Sequence, residues 1–241
     1  MKVVLSLVAL LAVCLAQARA QTPAGASASP RQAAAGAGVP VEELLARLKG
    51  KDQRAASEAM DALEARGEEA VPPLERLLKS ESDAVVLVRA AALLSLIRPE
   101  HPAIVPTLLR VAKGRGFFDS EETLMARRTA GMFLSQTPAG IRELPALLKD
   151  KDVFVRRSAA FALDDPTEAI DSLSPARLEA INEVLPALVA ALDDEDEVVS
   201  EMSCEVLGQI VRSQKEPLSS KAEGLLKRAG KSRGDCLCGC D

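Results

Sequence analysis

Apolar residues recur along this chain at intervals of three and four positions, which is the spacing of one face of an α-helix. The first such segment carries Val41, Leu44 and Leu48 and is bounded by Pro40 and Gly50. Proline is favoured at the first position of a helix, and glycine is favoured just after the last. Short apolar stripes separated by Gly, Pro and acidic residues continue to about residue 230. The sequence therefore predicts an all-α fold of short amphipathic helices.

The predicted helices form five antiparallel pairs, followed by one short helix over 220–229. In chain order the pairs are Val41–Leu48 with Ala55–Leu63, Pro72–Leu78 with Asp83–Ile97, Ile104–Ala112 with Ser120–Leu134, Ile141–Leu148 with Asp152–Leu163, and Pro175–Leu192 with Glu197–Arg212. Asp119 and Glu122 are spaced as in a capping box for the helix over 120–134. Pro186 removes a backbone hydrogen bond inside its helix, which predicts a kink or break near Asn182.

A dipeptide of an apolar residue followed by proline recurs in four of the five pairs. It stands at 71–72, 105–106, 144–145 and 185–186, so the prolines lie 34, 39 and 41 residues apart. A period near 40 residues is typical of α-solenoids, in which each repeat buries its apolar face against its neighbours. The region 39–230 is long enough for about five such repeats.

Three of the pairs also carry an acidic residue six positions before an arginine. These are Asp83 with Arg89, Glu122 with Arg128, and Asp150 with Arg156. Proline in the first helix, then Asp, then Val-Arg opening the second helix resembles the HEAT-repeat family, especially its short bacterial, phycobilisome-lyase-like members. The resemblance implies a right-handed α-solenoid of about five hairpins, with these acids and arginines forming a ladder between repeats. Because the family is a scaffold class without a shared activity, it implies no catalytic residue.

The first 20 residues have the pattern of a cleaved signal peptide, with Lys2, an apolar run over 3–13 and small residues at 18–20. This predicts export to the periplasm or the medium. A lipoprotein anchored at Cys14 is the alternative, although Val13 is larger than the residue usual before a lipid-bearing cysteine. Residues 21–38 are rich in Ala, Gly and Ser and predict a flexible linker. No later segment is apolar over the ~20 residues that a membrane span needs.

The composition argues against nucleic acid as a partner. Loss of residues 1–20 removes two basic residues and no acidic one, so the net charge changes from −5 to −7. Phosphate-binding surfaces depend on Lys and Arg. The chain also has no Trp or Tyr, and therefore few side chains on which bases could stack.

The C-terminal segment 231–241 carries three cysteines at alternate positions, Cys236, Cys238 and Cys240. Thiolates bind soft metal ions such as Cu(I) or Zn(II), but a closed zinc site usually has four ligands. In an exported protein, disulfide formation or crosslinking is the simpler interpretation. One bridge within the tail would leave a third thiol for Cys204 or for another chain. By its apolar neighbours, Cys204 is otherwise a small core residue.

Two further features have an ordinary structural interpretation. His101, the single histidine, lies in a turn between two prolines, and no nucleophile is placed to pair with it. The acidic run 193–197 lacks the ligand spacing and glycine of a calcium loop. It is interpreted as a solvated turn whose charges favour the start of the next helix.

These patterns favour a non-catalytic scaffold that binds another protein and needs no cofactor. The second helices of HEAT repeats usually line the concave side, so the candidate contact positions are Arg127, Arg157, Glu201 and Glu205. One alternative is an exported thiol protein that binds a soft metal or crosslinks through its tail. A second alternative, which rests on kinship alone, is a lyase-like enzyme built on the same repeats.

Overall fold

The computed structural model describes residues 38–114, 120–163, 173–213 and 215–230. Helix accounts for 76% of these residues, and no strand occurs among them, which confirms the predicted all-α class. The predicted signal peptide, nearly all of the linker over 21–38, and the cysteine tail lie outside the described residues. Within the described part, no helix combines the length and the apolar character required to cross a bilayer.

The described helices follow the predicted pairs closely at most boundaries. They are α1 (Val41–Lys49), α2 (Gln53–Arg66), α3 (Val71–Ser80), α4 (Ala84–Ile97), α5 (Ile104–Ala112), α6 (Glu121–Leu134), α7 (Pro138–Ile141), α8 (Leu144–Leu147), α9 (Val153–Phe161), α10 (Pro175–Ala191), α11 (Glu197–Arg212) and α12 (Leu218–Arg228), with a 3₁₀ turn over Gly67–Ala70.

Side-chain oxygens fix the starts of several helices by accepting hydrogen bonds from first-turn amides. The capping residues include Asp52, Ser120, Asp152, Ser174 and Asp196. At α6 the cap is Ser120, which is bonded to the amide of the third helical residue as expected of a serine N-cap. The predicted Asp119–Glu122 capping box is therefore wrong in register, and Asp119 itself lies outside the described residues.

The single helix predicted over 141–148 is wrong, because the segment forms two short helices, α7 and α8, separated by Arg142 and Glu143. Pro145 has no amide hydrogen, so the carbonyl of Ile141 loses the donor that would continue the helix. The Thr137 hydroxyl caps the first short helix by accepting from the Gly140 amide at 3.0 Å.

The kink or break predicted near Asn182 is not a break, because α10 runs through Pro186 to Ala191. A proline leaves the carbonyl four residues earlier without its helical donor. That carbonyl belongs to Asn182, and Lys221 on α12 donates to it from Nζ at 3.0 Å. The last helix therefore supplies the hydrogen bond that the proline removes.

The sequence predicts one repeat domain over 39–230, whereas the described chain divides into two compact units whose boundary falls within α4. The first unit holds α1 packed on α2, followed by the 3₁₀ turn and α3. The second unit begins at residue 82, apart from 89–99, and holds α5 to α12. In the second unit α6, α9 and α11 contact one another in chain order, and α10 packs against α7, α8, α11 and α12.

Candidate functional site

Six charged side chains meet around α9 in the second unit. We name them the arginine–aspartate row: Arg127, Asp152, Arg156, Arg157, Asp194 and Asp196. The helices bring them together because α9 packs between α6 and α11. Arg127 lies on α6, while the aspartates lie in the turns that precede α9 and α11.

Arg156 forms the central contact of the row and is almost fully buried. Its Nε and Nη2 donate to the two carboxylate oxygens of Asp194 at 2.9 and 3.1 Å, and Nη2 also reaches Glu195. Its Nη1 donates to the backbone carbonyls of Asp150 and Lys151. The hydrogen bond to Asp194 raises the pKa of Arg156, and burial, which acts in the opposite direction, only partly offsets this. One guanidinium thus joins the turn before α9 to the turn before α11.

Arg157 makes a second two-pronged contact beside the first. Its Nε and Nη2 donate to the Asp196 carboxylate at 2.9 and 2.7 Å. The same carboxylate accepts from the Val199 amide and so caps α11. The bond from Arg157 is the main reason that the pKa of Asp196 lies below its usual value. The candidate contact residue Arg157 is therefore half-buried and already paired.

The expectation that Arg127 is an exposed contact residue is wrong. Its side chain is 4% exposed, donates from Nε to the carbonyl of Ala112 at the end of α5, and donates from Nη2 to Asp152 at 2.6 Å. Desolvation acts to raise the pKa of Asp152, but the bonds from Arg127 and from backbone amides outweigh it, and the pKa is lowered. Gly114, with φ +64, leaves room for the guanidinium, because a Cβ there would lie 2.6 Å from Arg127 Cζ.

Arg128, predicted as the ladder residue of α6, is instead exposed. Its guanidinium carbon lies 3.9 Å from the centroid of the Phe161 ring. Its predicted acid, Glu122, is exposed on the same helix. Six residues place the two about 9 Å apart along the axis and about 120° apart around it. The buried arginine of α6 is thus Arg127, one position earlier than predicted.

The remaining ladder residues each contact backbone groups. In the first unit, buried Arg89 donates from Nη1 to the carbonyls of Leu48 and Gly50 at 3.0 and 3.1 Å, and so satisfies the C-terminal end of α1. In the second unit, Asp83 accepts from two first-turn amides of α4. The Asp150 carboxylate accepts from the Asp152 amide at 3.0 Å.

The row adjoins an exposed aromatic side chain that the sequence analysis did not single out. Phe154 is 39% exposed, and its ring centroid lies 5.6 and 5.8 Å from the guanidinium carbons of Arg127 and Arg157. On α11, Glu201 is exposed and Glu205 is half-buried. Phe154 and Glu201 are consequently the accessible candidates on these second helices.

The three buried arginines share an alanine three positions on, although half-buried Arg157 is also followed by a buried alanine, Ala160. Arg89, Arg127 and Arg156 are followed by Ala92, Ala130 and Ala159, all of which are buried. A small residue at that place lets the neighbouring helix approach closely.

The other candidate residues show no arrangement that points to catalysis or metal binding within the described ranges. His101 is a half-buried turn residue whose Nδ1 accepts from the Ala103 amide. In the acidic run, Asp193, Glu195 and Glu197 are exposed, as expected of a solvated turn, whereas Asp194 and Asp196 are half-buried and bonded to arginines. Within the described ranges, no group of three or more His, Cys, Asp or Glu side chains is placed to hold a metal. The candidate metal and disulfide residues of the tail lie outside those ranges.

Cys204 departs from its expected role as a simple core residue. It lies on α11, is half-buried and is disulfide-bonded.

We expect the Arg127→Met variant to lose about 2 kcal/mol of unfolding free energy at pH 7, because a buried charge-assisted contact disappears. Arg128→Met is the matched control, and it loses about 0.5 kcal/mol, since its contact is exposed. The pKa of Asp152 is lowered on folding, so the Arg127 contribution is complete well above the ordinary value of 3.8 and is lost as the pH falls through the folded-state pKa. Urea unfolding at pH 7 and pH 3 checks this. Equal losses for the two variants, or a larger Arg127→Met loss at pH 3, would contradict it.

No protein-family model matches the chain, and no curated protein matches it.

Proposed function

We propose that this chain is an exported, non-catalytic scaffold whose HEAT-like hairpins form a right-handed α-solenoid and bind another protein. The observation that carries the proposal is an arginine–aspartate contact that recurs between hairpins of the second unit. Arg127 on α6 reaches Asp152 before α9, and Arg156 on α9 reaches Asp194 before α11. Contacts that pass from one hairpin to the next are expected of a stack of repeats, in which each unit contacts its neighbours.

The contacts within the arginine–aspartate row favour a structural role, in which they fix helices, over a catalytic role. Each of its aspartates is bonded to a guanidinium, so these carboxylates are engaged in fixing helices and not in proton transfer. The helices that these contacts fix, α9 and α11, expose Phe154 and Glu201 to solvent. Aromatic residues are enriched at the centres of protein interfaces. We therefore assign partner binding to the exposed positions of these two helices.

The exported thiol protein remains the second candidate, and one observation favours it. Cys204 is oxidised in a disulfide, which is the state expected of cysteines in an exported protein. This chemistry is compatible with a scaffold, since a bridge can stabilise a repeat without taking part in binding.

Site-specific photocrosslinking in the native cell envelope tests the binding surface. A photoreactive residue replaces Glu201 on α11, and the matched control replaces Glu179, an exposed glutamate on α10. We expect one adduct of defined mass from position 201, none from position 179, and loss of that adduct in the Phe154→Ala background. Equal labelling from both positions, or no adduct from position 201, would refute the proposed surface.

Intact mass of the exported protein tests localisation separately, because a start at Gln21 is expected after cleavage. An uncleaved chain, or one that begins at a lipid-bearing Cys14, would refute this part of the proposal.

A further inference from the structure

The number of cysteines in the chain limits which residue can be the disulfide partner of Cys204. Cys204 lies in the middle of α11 and is the single cysteine of the described residues. The sequence has five cysteines, and the other four are Cys14, Cys236, Cys238 and Cys240. A disulfide within this chain must therefore involve one of those four.

Position along the chain favours the C-terminal three. Cys14 lies within the predicted signal peptide, which the proposed export would remove. The last described helix, α12, packs against α11, so the chain continues past Gly230 from a helix that already touches the one carrying Cys204. The ten residues from Gly230 to Cys240 can span about 33 Å when extended, which exceeds the ~17 Å length of α12. The tail is long enough to return to Cys204.

We infer that Cys204 is bridged to one of Cys236, Cys238 and Cys240, so that the C-terminal tail is fastened covalently to α11. The inference rests on the proposed export, because the bridge needs an oxidising compartment. Two thiols lose two protons and two electrons to form the bond. An oxidised thiol–disulfide oxidoreductase accepts the electrons by exchange through a mixed disulfide.

The bridge changes what the tail can bind. It consumes one of the three tail thiols, so at most two thiolates remain for a metal ion while it is intact. A site of three tail thiolates therefore requires that Cys204 be reduced first. The bridge also closes a loop of more than 30 residues that contains α12, and closing a loop of this length stabilises a fold.

Peptide mapping of the full chain, exported with its own leader, tests the connection. Free thiols are alkylated under denaturing conditions, and trypsin digestion follows without reduction. Cys204 falls in peptide 178–212, and the three tail cysteines fall together in peptide 234–241. We expect these two peptides to be linked, and we expect the link to disappear in the Cys204→Ser variant. An alkylated Cys204, a link to Cys14, or two linked copies of peptide 178–212 would overturn the inference.

A thermal melt gives an independent readout. We expect a reductant to lower the melting temperature of the parent chain by several degrees and to leave the Cys204→Ser variant unchanged. An equal response of both proteins would also overturn the inference. Neither measurement depends on the binding partner, and the intact mass reports leader cleavage separately. Failure of the bridge is thus distinguishable from failure of the proposed function.

Discussion

We expect the Arg156→Met variant to unfold with a free energy about 3 kcal/mol below that of the parent chain. The guanidinium of Arg156 is the two-pronged partner of Asp194, and the two side chains are only 9% and 11% exposed. Methionine fills much of the same volume but leaves the carboxylate buried without that partner, which costs more than the loss of the attraction alone. Chemical denaturation followed by far-UV circular dichroism measures the loss.

Arg47→Met is the control for this prediction. Arg47 also pairs with a carboxylate, that of Glu43 one turn earlier on α1, but both side chains are about half exposed. Exposed pairs of this kind contribute about 0.3–0.5 kcal/mol. A loss for Arg156→Met that is no larger than the loss for Arg47→Met would contradict a structural role for the buried pair.

The second large effect is expected from Gly131→Ala, which should lower the unfolding free energy by about 2–3 kcal/mol. Gly131 lies where α6 meets α9. A Cβ there would collide with the carbonyl oxygen of Ser158 and lie 2.7 Å from its hydroxyl oxygen. That hydroxyl donates to the Arg127 carbonyl at 2.6 Å, so the two helices cannot separate without breaking a buried hydrogen bond. Thermal and urea unfolding report the change.

Gly224→Ala is the matched control, because this glycine lies inside α12 and a Cβ there would meet only the end of the Arg228 side chain at 3.7 Å. Alanine has the higher helix propensity, so this variant should gain about 0.5–1 kcal/mol. The two substitutions are chemically identical and opposite in expected sign. A stabilised Gly131→Ala variant would show that α6 and α9 do not approach as closely as described.

Much of the fold could be predicted because apolar spacing, Gly and Pro act locally. The bounds of α5 and α11 agree with the predicted segments Ile104–Ala112 and Glu197–Arg212. One departure from prediction falls where a distant group intervenes. At Pro186 the helix continues because Lys221, 35 residues later, supplies the missing donor, and helical periodicity carries no signal of such a contact.

The site was harder to predict because burial, not residue type, distinguishes its arginines. Arg127 and Arg128 are adjacent and chemically equal, and spacing from an acidic residue selected the exposed one. Only the packing of α9 against α6 makes Arg127 the buried member. Similarly, the pairing of Asp194 and Asp196 was not predicted, because the arginines that bind them lie about 40 residues earlier in the sequence.

A double-mutant cycle on Arg156 and Asp194 tests most directly whether buried arginine–aspartate contacts hold successive hairpins together. Asp194→Asn is suitable because the amide oxygen can still accept from the Asp196 amide, as the carboxylate does at 2.9 Å. We expect Arg156→Met and Asp194→Asn each to destabilise the chain, and the double variant to recover about 2 kcal/mol relative to the sum of the single losses. Additive losses, with a coupling free energy near zero, would contradict the account.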